Sequence, residues 1–488
     1  MDLTGEQLGV FEVWGPIGEG GMSRVWLARH RELSIPVIVK TLRDEGGEAS
    51  FARLRNEARL MARIPNPRVV RAVDLGVHQG CAYLAQEYVD GIDLAELAQR
   101  RGKAMGRGLP LWFVCHVARE VAIALHSAHQ TGVLHRDVKP SNLFDSPQTG
   151  VRLGDFGLAL ARSGTSEGAA SGTLRFVAPE ALRGALPTRQ CDVYSLGATA
   201  YDLYYGRPPF LGLGEILGSA PPPFPSAKSA EEAYFQHVIA RMLERDVERR
   251  FSSIAAPMAK LGALARSLRP TLVGARIGAG VFQLGPVRVE CSIGDIAEAV
   301  ADGILNSAND HMNMRTGVGA ALRARGGQVV EDEAMAKGGR ALGECIPTSG
   351  GALACKHVLH AVSAWKEASC IARTTQRAFL LAEDLGLRTL AVPALGTGVA
   401  KVAPESSAYA TASALYWHVL LGGSRLREVR FVLYDKRTYD VFVEQISGVL
   451  LGDVESAVEG GGAPAVADDP TSDETMLLPP SSSSRDLG

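Results

Sequence analysis

Apolar and polar residues near the start of the chain alternate with a period of two, the spacing of half-buried strands. From Phe11 to Val39 they give strand, glycine turn, strand, strand, and Val37-Ile38-Val39-Lys40 closes the series as a β-branched run. The period then lengthens. Phe51–Ile64 is spaced as a helix that Pro65-Asn66-Pro67 must stop. Cys81–Val89 returns to strand spacing and leads into Gly91. Leu111–Gln130 places Phe113, Val117, Val121, Leu125 and Ala128 on one apolar stripe of a long amphipathic helix. Strands followed by helices imply an α+β unit.

After Ser267-Leu268-Arg269-Pro270 a second pattern begins. Val287–Glu290 is strand-like, Gly294-Asp295-Ile296 opens a helix, and Gly303–Asn309 is an apolar strand ending in polar residues. Lys356–Val362 (strand), Ala368–Leu385 (helix), Thr389–Pro393 (strand) and a helix from Pro404 follow. Strand–helix alternation of this kind predicts a three-layer α/β sandwich with ligands at the carboxyl ends of its strands.

Composition narrows the function classes. The chain has 488 residues, 46% hydrophobic and 21% charged, enough for two to four globular domains with full cores. A net charge of −2 gives no basic field for nucleic acid or anionic lipid. Seven cysteines without a C-x-x-C pair favour reduced thiols over disulfides or a zinc site. Met1–Val10 lacks an apolar signal core, and the uncharged run Ser406–Ser424 contains hydroxyls and a histidine that suit a buried helix better than a membrane span. The expectation is a soluble, cytoplasmic protein. From Gly452 onward, eight acidic residues face one arginine beside Ser481–Ser484, a composition that predicts a disordered acidic, serine-rich tail.

The densest chemistry lies in His135-Arg136-Asp137-Val138-Lys139-Pro140-Ser141-Asn142, with Asp155-Phe156-Gly157 thirteen residues after Asn142. Phosphoryl transfer needs a carboxylate to accept the proton of an attacking hydroxyl and oxygen ligands for the cation that holds the triphosphate. Asp137 fits the first role, and Asn142 and Asp155 the second. Lys139 would neutralise charge developing on the transferred phosphate. This order resembles the catalytic and metal loops of serine/threonine protein kinases, in particular bacterial kinases of eukaryotic (Hanks) type.

The resemblance implies roles elsewhere in Phe11–Leu268. Gly18, Gly20 and Val25 of Gly18-Glu19-Gly20-Gly21-Met22-Ser23-Arg24-Val25 would cover the ATP phosphates. Lys40 would hold the α- and β-phosphates and pair with Glu57, while Glu87 and Val89 would present backbone groups to adenine with Gln86 behind them. Ser163, Thr165, Ser166, Ser171 and Thr173 would form a phosphorylatable activation loop facing Arg136. Glu180 of Ala178-Pro179-Glu180 would pair with Arg250, and Asp192 would buttress the catalytic loop. Two positions depart from the family pattern. Ile38 replaces an alanine usual against adenine, and Phe144 a leucine usual on the opposite wall, which together threaten to overpack the slot. Gly154 would return some room.

The second unit resembles a macro domain, a module that binds ADP-ribose. Asp295 would accept from the adenine amino group with Ile296 beside it, and Asn306 and Asn309 would approach the distal ribose. Gly317-Val318 and Gly396-Thr397-Gly398-Val399 would offer backbone amides to the diphosphate. Hydrolytic members often carry an acidic residue where this chain has Gly319, which favours binding over hydrolysis. The expected organisation is therefore a kinase domain at 11–268 (lobes 11–89 and 90–268), a linker at 269–284, a macro domain at 285–451 and a tail at 452–488. The expected function is ATP-dependent serine/threonine phosphorylation with Mg²⁺ (or Mn²⁺) as cofactor. Its partners would be serine- or threonine-bearing proteins and ADP-ribose or ADP-ribosylated protein, with no specific nucleic acid and no membrane span. The alternatives are a pseudokinase scaffold, suggested by Ile38 and Phe144, and an ADP-ribosyl hydrolase regulated by the kinase domain.

Overall fold

The computed structural model of the chain describes residues 3–19, 23–42, 48–105, 108–156, 173–365 and 368–452. Three strands, Phe11–Glu19, Ser23–His30 and Pro36–Leu42, lie side by side in a six-stranded antiparallel sheet completed by Gln7–Leu8, Cys81–Glu87 and Ala72–His78. The alternation seen in the sequence decides which side chains go where. Val37 and Val39 enter an apolar cluster with Phe11, Val13 and Trp26, while Ile38 and Lys40 face the opposite way. The following helix spans Glu48–Ala62, starting three residues before the apolar spacing becomes legible.

Leu111–Gln130 forms as expected and packs along Ala255–Leu268, with Arg189–Tyr205 crossing behind it. Its stripe residues Phe113, Val117, Val121, Leu125 and Ala128 are all buried. The catalytic stretch follows as irregular backbone. It runs into the short strands Leu143–Ser146 and Gly150–Leu153, which pair with Ile92–Asp93.

The second unit is an eight-stranded sheet in the order Gly274–Gly278, Val281–Leu284, Val287–Ile293, Glu428–Leu433, Thr389–Val392, Gly303–Ala308, His357–Val362, Cys345–Ser349. The middle strands are parallel and the edges antiparallel, with helices on both faces. Segment 269–284 is thus more than a linker. Its Gly274–Gly278 and Val281–Leu284 form the sheet's first hairpin, hidden from sequence reasoning because glycine and arginine break the apolar run. Ala368–Leu385 also divides. Ala368–Ser369 pairs with Ala364–Trp365, and the helix proper is Ile371–Asp384. Asp295 opens only a short 3-10 turn, Ile296–Glu298, accepting from the Ala297 backbone at 2.9 Å. The uncharged run begins in the helix Pro404–Leu420 and continues four residues past its end, and the helix is nearly all buried from Ser407 onward. Among the described residues, no helix is long and apolar enough to cross a membrane.

The units share a continuous apolar and polar interface. Trp112 of the first unit stacks on Trp417 of the second with ring centroids 6.5 Å apart, and the Trp417 indole donates to the Pro147 carbonyl at 3.1 Å. Arg377 grips Glu96 with contacts of 2.7, 3.0 and 3.2 Å. Asp90 accepts from the backbone of Ala372 and Arg373 at 3.0 and 2.9 Å, satisfying amides that the first turn of a helix leaves open. Arg101 donates to the Gly422 carbonyl.

Asp145 lies beneath this interface, its backbone carbonyl accepting from Gln376 at 3.3 Å and its buried Oδ2 without a partner among the described residues. Burial pushes its carboxyl up to about 7. Folding therefore takes up a proton between the ordinary carboxylate range and about pH 7, and stability falls as pH rises through that window. Asp145→Asn, which cannot charge, is expected to exceed the wild type in chemical denaturation at pH 8 by on the order of 2 kcal/mol. The gain should shrink toward pH 5.

Candidate functional site

The cleft of the first unit is assembled around Lys40. The strand Pro36–Leu42 delivers its ammonium to an interior where it is 2% exposed, 3.0 Å from Glu57 and 2.6 Å from Asp155. Burial alone would lower the Lys40 pKa, but the two carboxylates outweigh it and raise it. For Glu57 burial wins and pushes the carboxyl up to about 7, against the pull of Lys40. For Asp155 burial is overcome by the ammonium, which holds its carboxyl below the usual range. Strand, helix and loop thus meet in one charge chain. Gln86 lies behind it, buried, its amide 3.4 Å from the Met61 sulfur.

The catalytic stretch is held from below by Asp192. Its carboxylate accepts from the backbone of His135 at 3.0 Å and of Arg136 at 2.7 Å, and lies 2.7 Å from His129 Nε2. Burial would raise the Asp192 carboxyl, but His129 and these donors lower it. Arg136 adopts a left-handed φ of 69° and Asp155 one of 58°, conformations that persist in non-glycine residues only where neighbours over-determine them. His135 does so for both loops. Its Nε2 faces the Gly154 carbonyl at 2.8 Å, which requires a proton there, and its Nδ1 accepts from the Asp137 backbone at 3.2 Å.

Asp137 then projects into the cleft, with Lys139 Nζ 2.7 Å from Oδ2. Asn142 donates its amide to the Asp137 carbonyl at 2.8 Å and to Oδ2 at 3.1 Å. With its nitrogen turned inward, Asn142 keeps its side-chain oxygen as the remaining acceptor, and Asp155 is an ionised carboxylate 38% exposed. Such oxygen donors fit a hard divalent cation. Glu180 forms a two-pronged ion pair with Arg250 at 2.7 and 3.0 Å. Glu87 pairs with Val37 and Gly18 with Val25 across the sheet. Val89 follows in the segment between the lobes, with its carbonyl accepting from Gly91 at 2.9 Å. The space left by Gly154 is filled by Phe144: a Cβ at 154 would lie 2.9 Å from its ring. Gly20, Ser163, Thr165, Ser166 and Ser171 fall outside the described residues, and Thr173 opens the 3-10 turn Thr173–Phe176.

In the second unit a cavity of about 650 Å³ opens at the carboxyl ends of the parallel strands. Asp295, Ile296 and Asn309 line it, as do Gly317, Val318 and the loop Gly396-Thr397-Gly398-Val399. Gly317 (φ 55°) and Gly396 (φ 71°) take backbone conformations that glycine adopts without strain. The helix Gly317–Gly326 begins at the wall and points its amide end inward, an arrangement suited to anions. Asn309 donates to Asn313 at 3.0 and 3.1 Å, and its own buried Oδ1 has no partner among the described residues.

Asn306 does not line the cavity. It stands two residues before the end of Gly303–Ala308, deep in the sheet, with its amide 3.1 Å from His360 Nδ1. Burial lowers the His360 pKa to about 4, so this imidazole is neutral and can accept. Among the lining residues that escaped sequence reasoning are Asn313, Tyr434, Asp435 and Thr438. Tyr434 stands 90% exposed. The signal was present, since the apolar strand Glu428–Leu433 runs directly into Tyr434-Asp435.

The family model described as Protein kinase domain matches residues 11–260, and that described as Macro domain matches residues 305–411. The chain is similar to "Probable serine/threonine-protein kinase CPE1738" of Clostridium perfringens, at 34% identity over 207 residues, covering 41% of this chain and 30% of the relative. It is similar to "Serine/threonine-protein kinase PknB" of Mycobacterium tuberculosis, at 33% identity over 268 residues, covering 51% of this chain and 42% of the relative. It thus spans less than half of each of these relatives. Among solved structures, the kinase domain of M. tuberculosis PknI aligns at 29% identity with a TM-score of 0.44, covering 54% of this chain and 98% of that one.

Asp192→Ala strips the acceptor from two buried backbone amides of the catalytic stretch. A loss of roughly 2–4 kcal/mol in unfolding free energy is expected, read by urea denaturation.

Proposed function

The chain belongs to the protein kinase family and carries a macro domain behind the kinase unit, and from that membership we propose an ATP-dependent serine/threonine kinase joined to a reader of ADP-ribose. The observation that carries the catalytic half is Lys40 closed on Glu57 and Asp155, with Asp137 projecting into the same cleft. In this reading Lys40 positions the triphosphate of ATP. Asp137 accepts the proton of the substrate hydroxyl as its oxygen attacks the γ-phosphorus and the bond to ADP breaks. Lys139 offsets charge on the phosphoryl group in flight. Asn142 and Asp155 would hold Mg²⁺, or Mn²⁺ in its place, which when bound neutralises phosphate charge.

Activation-loop phosphorylation is supported by Arg136, whose buried Nε and Nη1 have no hydrogen-bond partner among the described residues. A phosphate on Ser163, Thr165, Ser166, Ser171 or Thr173 would supply acceptors for them. The scaffold alternative loses ground because the Phe144 ring is accommodated over Gly154 and the Lys40 charge chain is complete.

The macro unit is read as a binder of ADP-ribose, free or attached to protein. Its support is a cavity walled by glycine turns at Gly317, Gly396 and Gly398 that suit a diphosphate, with an Asn309 oxygen that has no partner among the described residues and could accept from a ribose hydroxyl. Gly319 offers no base, and a Cβ there would lie 3.2 Å from the Met314 backbone, so the helix sits too close for an acidic side chain without adjustment. The seven cysteines, all free thiols, suit a reducing cytoplasm.

Asp137→Asn is expected to lower phosphate transfer from labelled ATP to protein by about 10²–10⁴-fold while Mg·ATP still binds. Unchanged turnover would refute the role of Asp137. ADP-ribose should bind the wild type, and an ADP-ribosylated protein incubated with it should keep its ADP-ribose attached, as read by mass spectrometry. Gly396→Ala, whose Cβ would meet that of Ala364 at 3.0 Å in a left-handed backbone, should weaken this binding at least about tenfold.

A further inference from the structure

The walls of the macro cavity are built from the same short segments that hold the kinase hinge. One is the turn from Asn309 to Asn313. Both asparagines line the cavity, yet Met312 between them points elsewhere. It is fully buried in an apolar cluster with Leu27 of the kinase sheet, Tyr88 of the hinge, and Ala308, Val362 and Cys370 of the macro unit. Trp14, Ile17 and Ile38 of the kinase sheet pack against that cluster. Ala308 belongs to both, lining the cavity and joining the cluster. Met312 reaches this position only through a left-handed backbone, φ 60°, which a side-chain-bearing residue holds at a cost that its packing must offset.

The second segment is the start of the helix Ile371–Asp384. A Cβ built on Gly396, in the anion loop, would lie 3.4 Å from Ile371 Cδ1, so the helix end forms the outer support of that loop. The next two amides, of Ala372 and Arg373, donate to Asp90, the residue after Val89. Tyr88 and Asp90 therefore flank the hinge residue expected to meet adenine, and each is held by a segment that also shapes the cavity.

We propose that the two sites bind cooperatively: a ligand of the ADP-ribose class in the macro cavity tightens Mg·ATP at the kinase cleft, and Mg·ATP tightens the macro ligand. This rests on the ligand classes assigned above. The sign follows from the state in which the units are docked. With Met312 seated and Asp90 capping the helix, the cavity is open and the Lys40–Glu57–Asp155 chain is closed at the same time. Two ligands that select one docked arrangement must favour each other, and linkage makes the effect equal in both directions. Ile38 then has a reason to exceed the usual alanine, because it also meets the interdomain cluster. The kinase would be most responsive to ATP where ADP-ribose is abundant.

Calorimetry on the full chain tests this with two probes, ADP-ribose and a non-hydrolysable ATP analogue with Mg²⁺, each titrated alone and with the other saturating. Both dissociation constants should fall by one common factor, about five- to fiftyfold. Met312→Gly removes the side chain and keeps the left-handed turn unstrained, and Asp90→Asn removes one acceptor from the helix cap. Each should still bind ADP-ribose while the common factor drops toward one. Two ligands that bind with unaltered constants, or that exclude each other, would overturn the coupling and leave the assignment of each site standing. Absence of any heat with ADP-ribose would instead sink the ligand assigned to the cavity, and the coupling with it.

Discussion

A lysine ammonium with almost no contact to water must be neutralised where it stands. Lys40 is that group, and the kinase unit is arranged to satisfy it. One partner comes from a helix and the other from a loop more than a hundred residues away in sequence. Neither unit of charge would be tolerated inside without the others, since removing one partner of a buried pair leaves an uncompensated ion. The sheet, the helix Glu48–Ala62 and the loop around Asp155 are therefore fixed relative to one another by a single electrostatic demand. The catalytic stretch inherits its position from that arrangement through His135, which bonds the Gly154 carbonyl next to Asp155.

A second demand operates beneath the catalytic stretch. Irregular backbone that must hold Asp137 toward the cleft cannot satisfy its own amides as a helix or strand would. Asp192 supplies the missing acceptor from the first turn of the helix Arg189–Tyr205, with His129 Nε2 2.7 Å from its carboxylate. Rigidity under the site thus comes from polar groups, with the apolar core of Leu111–Gln130 supporting them. The macro unit uses a different device. Its cavity wall combines glycine backbone at Gly317, Gly319, Gly396 and Gly398 with polar side chains such as Asp295, Asn309 and Thr438.

The interface between the units adds a constraint that neither imposes alone. Stacked tryptophans, a three-contact Arg377–Glu96 pair and a helix end capped by Asp90 join surfaces that an isolated kinase or an isolated macro domain would leave to solvent. The same contact explains a residue choice that looked unfavourable in the kinase read by itself. Ile38 threatened the adenine slot by its size, but it is also packed against the shared cluster, so its selection answers two neighbours.

What the sequence determined by itself was local or strictly ordered. The β-branched run marked the strand that carries Lys40, helical spacing marked Leu111–Gln130, and the ordered polar residues from His135 to Asp155 carried the resemblance to the kinase family. Glycines at Gly317 and Gly396 marked turns because few other residues take those conformations without strain. Tertiary structure alone decided the rest. The first hairpin of the macro sheet lies in what reads as a linker, since Gly274–Gly278 carries little apolar signal and gains its strand from its neighbour. Asn306 belongs to a buried pair with His360 and not to the cavity wall, because depth along a strand is set by what packs around it. Tyr434 and Asp435 reach the cavity only once the strand Glu428–Leu433 is seated between its parallel neighbours. The buried cluster that gathers Met312 with Leu27 and Tyr88 joins residues more than two hundred positions apart, a grouping that no local pattern encodes. Short-range periodicity and motif order are properties of the chain. Which surfaces meet is a property of the folded pair.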